Sequence, residues 1–208
     1  MKRVGFVTSS QYPHLTDSDS LTIEPLHKRG IKVEPIIWSS PPPTLTQFDA
    51  IIMRSAWDYH LHTSTFIRWL NTLKEAHIPI FNTVETMLWN MDKSYLFDLS
   101  KQGVPIVPSI KIESLNENIL AKINTWSEII IKPTISASAF GIKKLQTANK
   151  KEVIHEINTL LSVGNVLIQP FMKEIYDGEI SFIFFDKQFS HAVRKIPKKN
   201  DFRSQSDF

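Results

Sequence analysis

One lysine stands at the end of an unbroken apolar run, Ile129-Ile130-Ile131-Lys132-Pro133, and small or hydroxylated residues follow it: Thr134-Ile135-Ser136-Ala137-Ser138-Ala139-Phe140-Gly141. A short run of this kind reads as a strand buried on both faces. An ammonium is rarely kept inside such a strand, so Lys132 is expected at its mouth, facing a bound anion. Pro133 stops the ladder because it has no N–H to donate. A loop holding Ser136, Ser138 and Gly141 can bring backbone N–H groups and hydroxyls close to phosphate oxygens, with Lys132 as a compact point charge. The chemistry suggested is binding of a nucleoside triphosphate. An ordinary strand exit into a turn is the plainer alternative.

A second group, Arg54-Ser55-Ala56-Trp57-Asp58-Tyr59, follows a predicted strand directly. Loops at the carboxyl ends of strands are where open α/β sheets place ligands. Arg54 suits an acceptor carboxylate, with Asp58 beside it and Trp57 and Tyr59 as walls; alternatively, both rings only pack a helix that begins near Ser64. His60-x-His62 has the look of a metal pair, but it has no third ligand within sequence reach and reads as surface.

The elements that must position these residues change character along the chain. In the first third, strands are predicted at Arg3 to Thr8, Lys32 to Trp38, Ala50 to Met53 and Ile78 to Phe81, with helices at Asp19 to Arg29 and Ser64 to Ala76. That alternation gives a small α/β layer on a parallel sheet. Gly30 ends the first helix, and Pro41-Pro42-Pro43 makes a stiff connection. Thr8-Ser9-Ser10-Gln11 stands where a dinucleotide fingerprint would carry its glycines, and GxxxxGK is absent from the sequence, so NAD and P-loop readings fall away.

From Val84 the pattern becomes α+β. Helices are expected at Val84 to Trp89, Ser94 to Gln102 and Lys150 to Leu161, and strands at Ile106 to Ile112, Glu128 to Lys132, Ile142 to Leu145 and Asn165 to Gln169. Glu179 to Phe185 and Phe189 to Ile196 flank Asp186-Lys187-Gln188 as an antiparallel hairpin.

Composition excludes little beyond this. The 208 residues have apolar content enough for a core, and a net charge of +3. Much of the basic excess lies between Lys187 and Arg203, which reads as a solvated face rather than a nucleic-acid surface. The lack of cysteine removes disulfide scaffolds and thiolate zinc sites. Polar Thr8 to Gln11 interrupts the opening apolar run too early for a signal peptide, and the sequence has no apolar run of bilayer length. A cytoplasmic protein is the expectation.

Taken in order, Trp89-Asn90-Met91-Asp92-Lys93-Ser94, Gln102-Gly103-Val104-Pro105, the Lys132 strand and loop, Val166-Leu167-Ile168-Gln169-Pro170-Phe171, Gly178-Glu179-Ile180-Ser181-Phe182, Arg194-Lys195 and Asp201-Phe202-Arg203 resemble the ATP-grasp superfamily of carboxylate-amine ligases. That superfamily includes D-alanine:D-alanine ligase, glutathione synthetase and the ligase of cycloserine biosynthesis. The resemblance runs from about Arg54 to the last residue. It implies an N-terminal α/β domain on the acceptor side over 1–83, a central ATP-grasp subdomain over 84–170, and the start of a C-terminal subdomain over 171–208. Parallel and then antiparallel sheets would grip ATP, with a hinge at Gln169 to Phe171.

By the same resemblance, Lys93 and Lys132 would contact phosphates, and Ser136, Ser138 and Gly141 would form the mobile covering loop, here departing from its glycine-rich form. Gln169-Pro170-Phe171 would meet the adenine edge, Ile168 and Phe171 would form apolar walls, and Glu179 would hold the ribose. Lys195 and Arg203 would bind the γ-phosphate and the transferring phosphoryl group. The implied cofactors are ATP and Mg2+. The superfamily's metal ligands follow the arginine matched to Arg203, five residues before the last, so they are expected beyond residue 208. Ser204 to Phe208 carry no helix or strand signal, which favours a fragment over a degenerate, non-catalytic nucleotide-binding module; an interaction domain that keeps the fold without nucleotide is a third reading. Expected partners are small carboxylate and amine substrates, with neither nucleic acid nor membrane, and with room for a homodimer.

Overall fold

Helix and strand periods in the sequence resolve into two compact units, Met1–Tyr95 and Leu96–Phe208, in a computed structural model that describes residues 1–41, 43–199 and 201–203. The middle of the expected proline connection at 41–43, and the expected unstructured stretch at 204–208, lie outside the described residues.

In the first unit, β1 (Lys2–Thr8), β2 (Ile31–Ile37), β3 (Ala50–Ser55) and β4 (Ile80–Phe81) form a parallel sheet in the order β2-β1-β3-β4. Strand alternation sends Val4, Phe6 and Ile52 to one face, against Leu15 and Leu26. Val7 and Ile51 go to the other, against Phe66, Trp69, Leu70 and Leu73 of α3 (Thr63–Glu75). The single helix expected over Asp19 to Arg29 is instead two short ones, α1 (Asp17–Ser20) and α2 (Ile23–His27). Pro25 explains the break: inside a continuous helix it would lose one backbone hydrogen bond and clash with the preceding turn, whereas in the first turn of α2 it costs neither. α4 (Val84–Met91) follows, capped by Thr83, whose Oγ1 accepts from the Thr86 N–H.

α5 (Tyr95–Lys101) leads into the second unit. There β5 (Ile110–Ile112), β6 (Glu128–Pro133), β7 (Lys143–Gln146) and β8 (Val166–Pro170) form an antiparallel sheet in the order β5-β8-β6-β7. The strand expected from Ile106 pairs only from Ile110, because Pro105 and Pro108 have no N–H to place in a ladder. α6 (Glu117–Ile123) and α7 (Lys150–Leu161) cover one face of this sheet, burying Ile129, Ile131, Val166 and Ile168 against Ile123, Val153 and Ile157.

β9 (Glu179–Phe185) and β10 (Gln188–Lys195) pair as a separate antiparallel hairpin. Asp186 and Lys187 turn it with φ of 47° and 64°, the pair of positive values that a two-residue type I′ loop requires. Among the described residues no helix is long and apolar enough to cross a membrane.

Candidate nucleotide site

The face of the second unit's sheet that α6 and α7 leave open carries the Lys132 side chain. β6 alternates strictly: Ile129, Ile131 and Pro133 are buried under the helices, while Ile130 and Lys132 point the other way. The run of three isoleucines is therefore not buried on both faces, and Ile130 lines a cavity together with Lys132. Burial pushes the Lys132 ammonium below the ordinary lysine range, and no carboxylate of the described residues offsets that cost. A half-buried cation in this condition is stabilised by an incoming anion.

The cavity has a volume of about 340 Å³, and six residues singled out from the sequence line it: Lys132, Gln169, Phe171, Glu179, Lys195 and Arg203. Gln169 sits directly across from Ile130 in the β6–β8 register. Ile168 does not act as a wall. One residue out of phase with Gln169, it turns to the opposite face and is fully buried beneath the helices. The apolar walls are instead Val107, Ile130 and Ile142, with Met172, Ile175 and Phe202 nearby. Ile130 escapes the sequence reading, although alternation counted back from Lys132 would have indicated it; Val107 and Phe202 reach the cavity through irregular chain and carry no such signal.

Phe171 closes the strand end. Its N–H donates to Glu128 O, and its ring meets Tyr176 and Phe202 edge-on at 5.7 and 6.0 Å between centroids. Lys144 Nζ, ion-paired with Glu128 at 2.9 Å, stands 3.8 Å from the centroid of the same ring. Phe171 is thus held from three sides.

Glu179 and Lys195 face each other across the start of the hairpin, with 3.4 Å between Oε1 and Nζ. Gly178 permits this: at φ 108° it has no Cβ to collide with the Arg194 side chain, which would stand 2.8 Å away. Arg203 grips Asp201 with Nε and Nη2, the latter at 2.7 Å from Oδ2, and the guanidinium holds that carboxyl far below the usual range.

The three loop residues do not themselves line the cavity; Ala139, between them, does. Ser136 Oγ donates weakly to Pro133 O at 3.4 Å. Ser138 and Ala139 take φ of 48° and 55°, and the Phe140 N–H closes the turn on Ala137 O. Gly141 is required for two reasons, a φ of 69° and an approach that would bring a Cβ within 3.0 Å of the Pro133 ring.

Lys93, Arg54 and Asp58 belong to the first unit. Lys93 follows Asp92, whose Oδ1 accepts from the Ser94 N–H and hydroxyl at 2.8 and 2.6 Å, just ahead of α5. Asp58 Oδ1 accepts from the indole of buried Trp38 at 2.6 Å. Arg54 lies inside β3 rather than after it, and its guanidinium is bound to Asp19, a buried carboxylate that sequence reasoning missed. Tyr59 packs on Phe66 of α3, whereas Trp57 stays at the surface against Tyr12. Burial raises the Tyr59 phenol above its ordinary range.

The described residues do not fit a magnesium site. None of them forms a cluster of three His, Asp or Glu side chains able to hold a metal, and the cavity's own carboxylate, Glu179, faces Lys195.

The chain belongs to the prokaryotic glutathione synthetase ATP-grasp domain family, whose profile matches residues 98–207, more than half of its length. Residues 4–82 match the N-terminal domain of D-cycloserine synthetase DcsG. The cycloserine biosynthesis protein DcsG of Streptomyces lavendulae is 26% identical over an aligned length of 175 residues, in a match that covers 80% of this chain and 58% of that protein. The chain thus spans little more than half the length of this relative. The crystal structure of D-cycloserine synthetase DcsG superposes with a TM-score of 0.82 at 22% identity, over 93% of this chain and 68% of that one. D-alanine–D-alanine ligase from Bacillus anthracis, solved with ATP, superposes with a TM-score of 0.65 at 19% identity, over 93% and 66% of the two chains.

Proposed function

We propose that this chain carries the nucleotide site of an ATP-dependent ligase that joins a carboxylate to an amine. The supporting observation is Lys132: a half-buried ammonium without a carboxylate partner among the described residues, in a cavity that Val107, Ile130 and Ile142 also line. In this reading the base lies between Val107, Ile130 and Ile142, Phe171 closes the slot, and Lys132 meets the phosphates. An ammonium about 4 Å from a phosphate is worth on the order of 4 kcal/mol at an effective dielectric near 20.

A carboxylate is a poor electrophile because resonance and charge both oppose attack. The proposed route has a carboxylate oxygen attack the γ-phosphorus of ATP, which expels ADP and leaves an acyl phosphate. The amine then attacks the acyl carbon, phosphate departs, and the nitrogen loses a proton. The chain's contribution is position and electrostatics rather than a covalent intermediate. Lys195 and Arg203 are assigned to the transferring phosphoryl group once ligand draws them from Glu179 and Asp201. Lys93 is assigned to phosphate, and Arg54 and Asp58 to the acid substrate. Mg2+ is expected to accompany ATP, with ligands beyond the described residues. The same reading takes small-molecule substrates and a cytoplasmic location.

Two measurements on the same preparation test it: calorimetric titration with ATP, then assay of ADP release with a panel of carboxylic acids and amines. Acid-dependent ADP release supports the ligase. Tight ATP binding without release, in a protein extended to the full length of its relatives, would leave a non-catalytic nucleotide-binding module, and failure to bind ATP would refute both.

A further inference from the structure

The amide of Gln169 is held in one orientation by a relay of hydrogen bonds. Ser109 Oγ lies 2.7 Å from Val107 O and 2.8 Å from Gln169 Nε2. A carbonyl oxygen can only accept, so the single hydroxyl hydrogen of Ser109 goes to Val107, and toward Gln169 the hydroxyl can only accept. The nitrogen of the amide must therefore face Ser109, and Oε1 must face away from it. Gln169 is more than nine-tenths buried, and among the described residues Oε1 has no hydrogen-bond donor of its own. Its side chain lies on the cavity face of the sheet, directly across from Ile130.

We infer that Ser109 is a positioning residue that makes Gln169 a selector for 6-aminopurines over 6-oxopurines. The inference rests on the nucleotide reading of the cavity. The walls around the base slot, Val107, Ile130 and Ile142, are apolar, and the charged lining groups suit phosphates and ribose hydroxyls. Gln169 is thus the polar side chain left to meet the base's polar edge. A 6-amino group donates to Oε1. A 6-oxo group would set acceptor against acceptor, and the amide cannot turn over to relieve this while Ser109 holds its nitrogen. A buried site built for one hydrogen-bonding pattern rejects the reversed one because both partners stay unsatisfied.

The test is calorimetric titration of the full chain with ATP and with ITP, which differs from ATP only at the 6-position and N1, with magnesium present throughout. The wild-type protein should prefer ATP by about 10- to 100-fold. Ser109→Ala frees the amide to flip and should bring the ratio toward unity, largely by strengthening ITP. Gln169→Leu, which leaves Ser109 untouched, should also abolish the preference. Ser109→Ala combined with Gln169→Glu should restore it, since a carboxylate presents an acceptor whichever way it turns. A purely structural role for Ser109 would weaken both nucleotides alike. Equal wild-type affinity for ATP and ITP, or an unchanged ratio in Ser109→Ala, would overturn the inference while leaving the nucleotide site intact. Binding of neither nucleotide by the wild type would remove the site and the inference together.

Discussion

Arg54 Nε lies 2.7 Å from Oδ1 of Asp19, and Ser55 Oγ reaches Oδ2 of the same carboxylate at 2.5 Å. Asp19 is 2% exposed, so its charge is tolerated only because these partners are in place. Desolvation raises its pKa, but the hydrogen bonds from Ser55 and Arg54 outweigh it and the net shift is downward. A carboxylate depressed in the folded state contributes stability that is present above its unfolded pKa, about 4, and is lost as pH falls through the lower folded value. Urea unfolding of the wild-type protein should therefore weaken below about pH 4. Asp19→Asn should show a smaller decline. Asp19→Ala should cost about 1.5–3 kcal/mol at neutral pH, the worth of hydrogen bonds to a charged group.

Lys132 carries the opposite sign. A lysine whose folded pKa lies below its unfolded one costs stability at neutral pH, and the cost fades as pH rises through the lowered folded value and is gone above the unfolded one. Lys132→Met should accordingly raise the urea midpoint of the ligand-free protein while lowering ATP affinity about 10- to 100-fold. A variant that loses both stability and affinity would point to a structural lysine.

Ser138 and Ala139 occupy left-handed backbone without being glycine. Ser138→Gly and Ala139→Gly should each be neutral or stabilising by up to about 1 kcal/mol, because relief of Cβ strain is partly offset by the greater freedom of glycine in the unfolded chain. Gly141→Ala should be clearly destabilising, since its φ of 69° and the nearby Pro133 ring both oppose a Cβ. Thermal unfolding of the three variants gives the comparison.

On the acceptor side, Arg54→Ala in a protein extended to the length of its relatives should raise KM for the acid and leave ATP affinity near wild type. Lys132→Ala should do the reverse. An Arg54→Ala protein that is less stable but has unaltered acid kinetics would confine Arg54 to holding Asp19.

Local signals made much of this legible in the sequence. Lys132, its proline and its small-residue loop are contiguous, and the hairpin turn at Asp186-Lys187 lies between two strands whose periods are plain. What escaped was set by distance or phase. Asp19 gains its meaning from partners 35 and 36 residues away, which no local pattern reveals. The face of Ile168 is not legible locally, because four consecutive residues of β8 are all buried and only the ladder with β6 shows which side each faces. Pro25 and Pro108 were visible in the sequence, and their missing N–H groups account for a broken helix and a shortened strand.

Lys132, Gln169 and Phe171 line one cavity, and ATP is its proposed occupant. Titrating the isotopically labelled chain with ATP and following its backbone amide resonances tests this most directly. Saturable shifts concentrated at Lys132, residues 136–141 and Gln169 to Met172, all weakened in Lys132→Met, are the expected result. Saturable binding whose shifts fall elsewhere and survive Lys132→Met would contradict it.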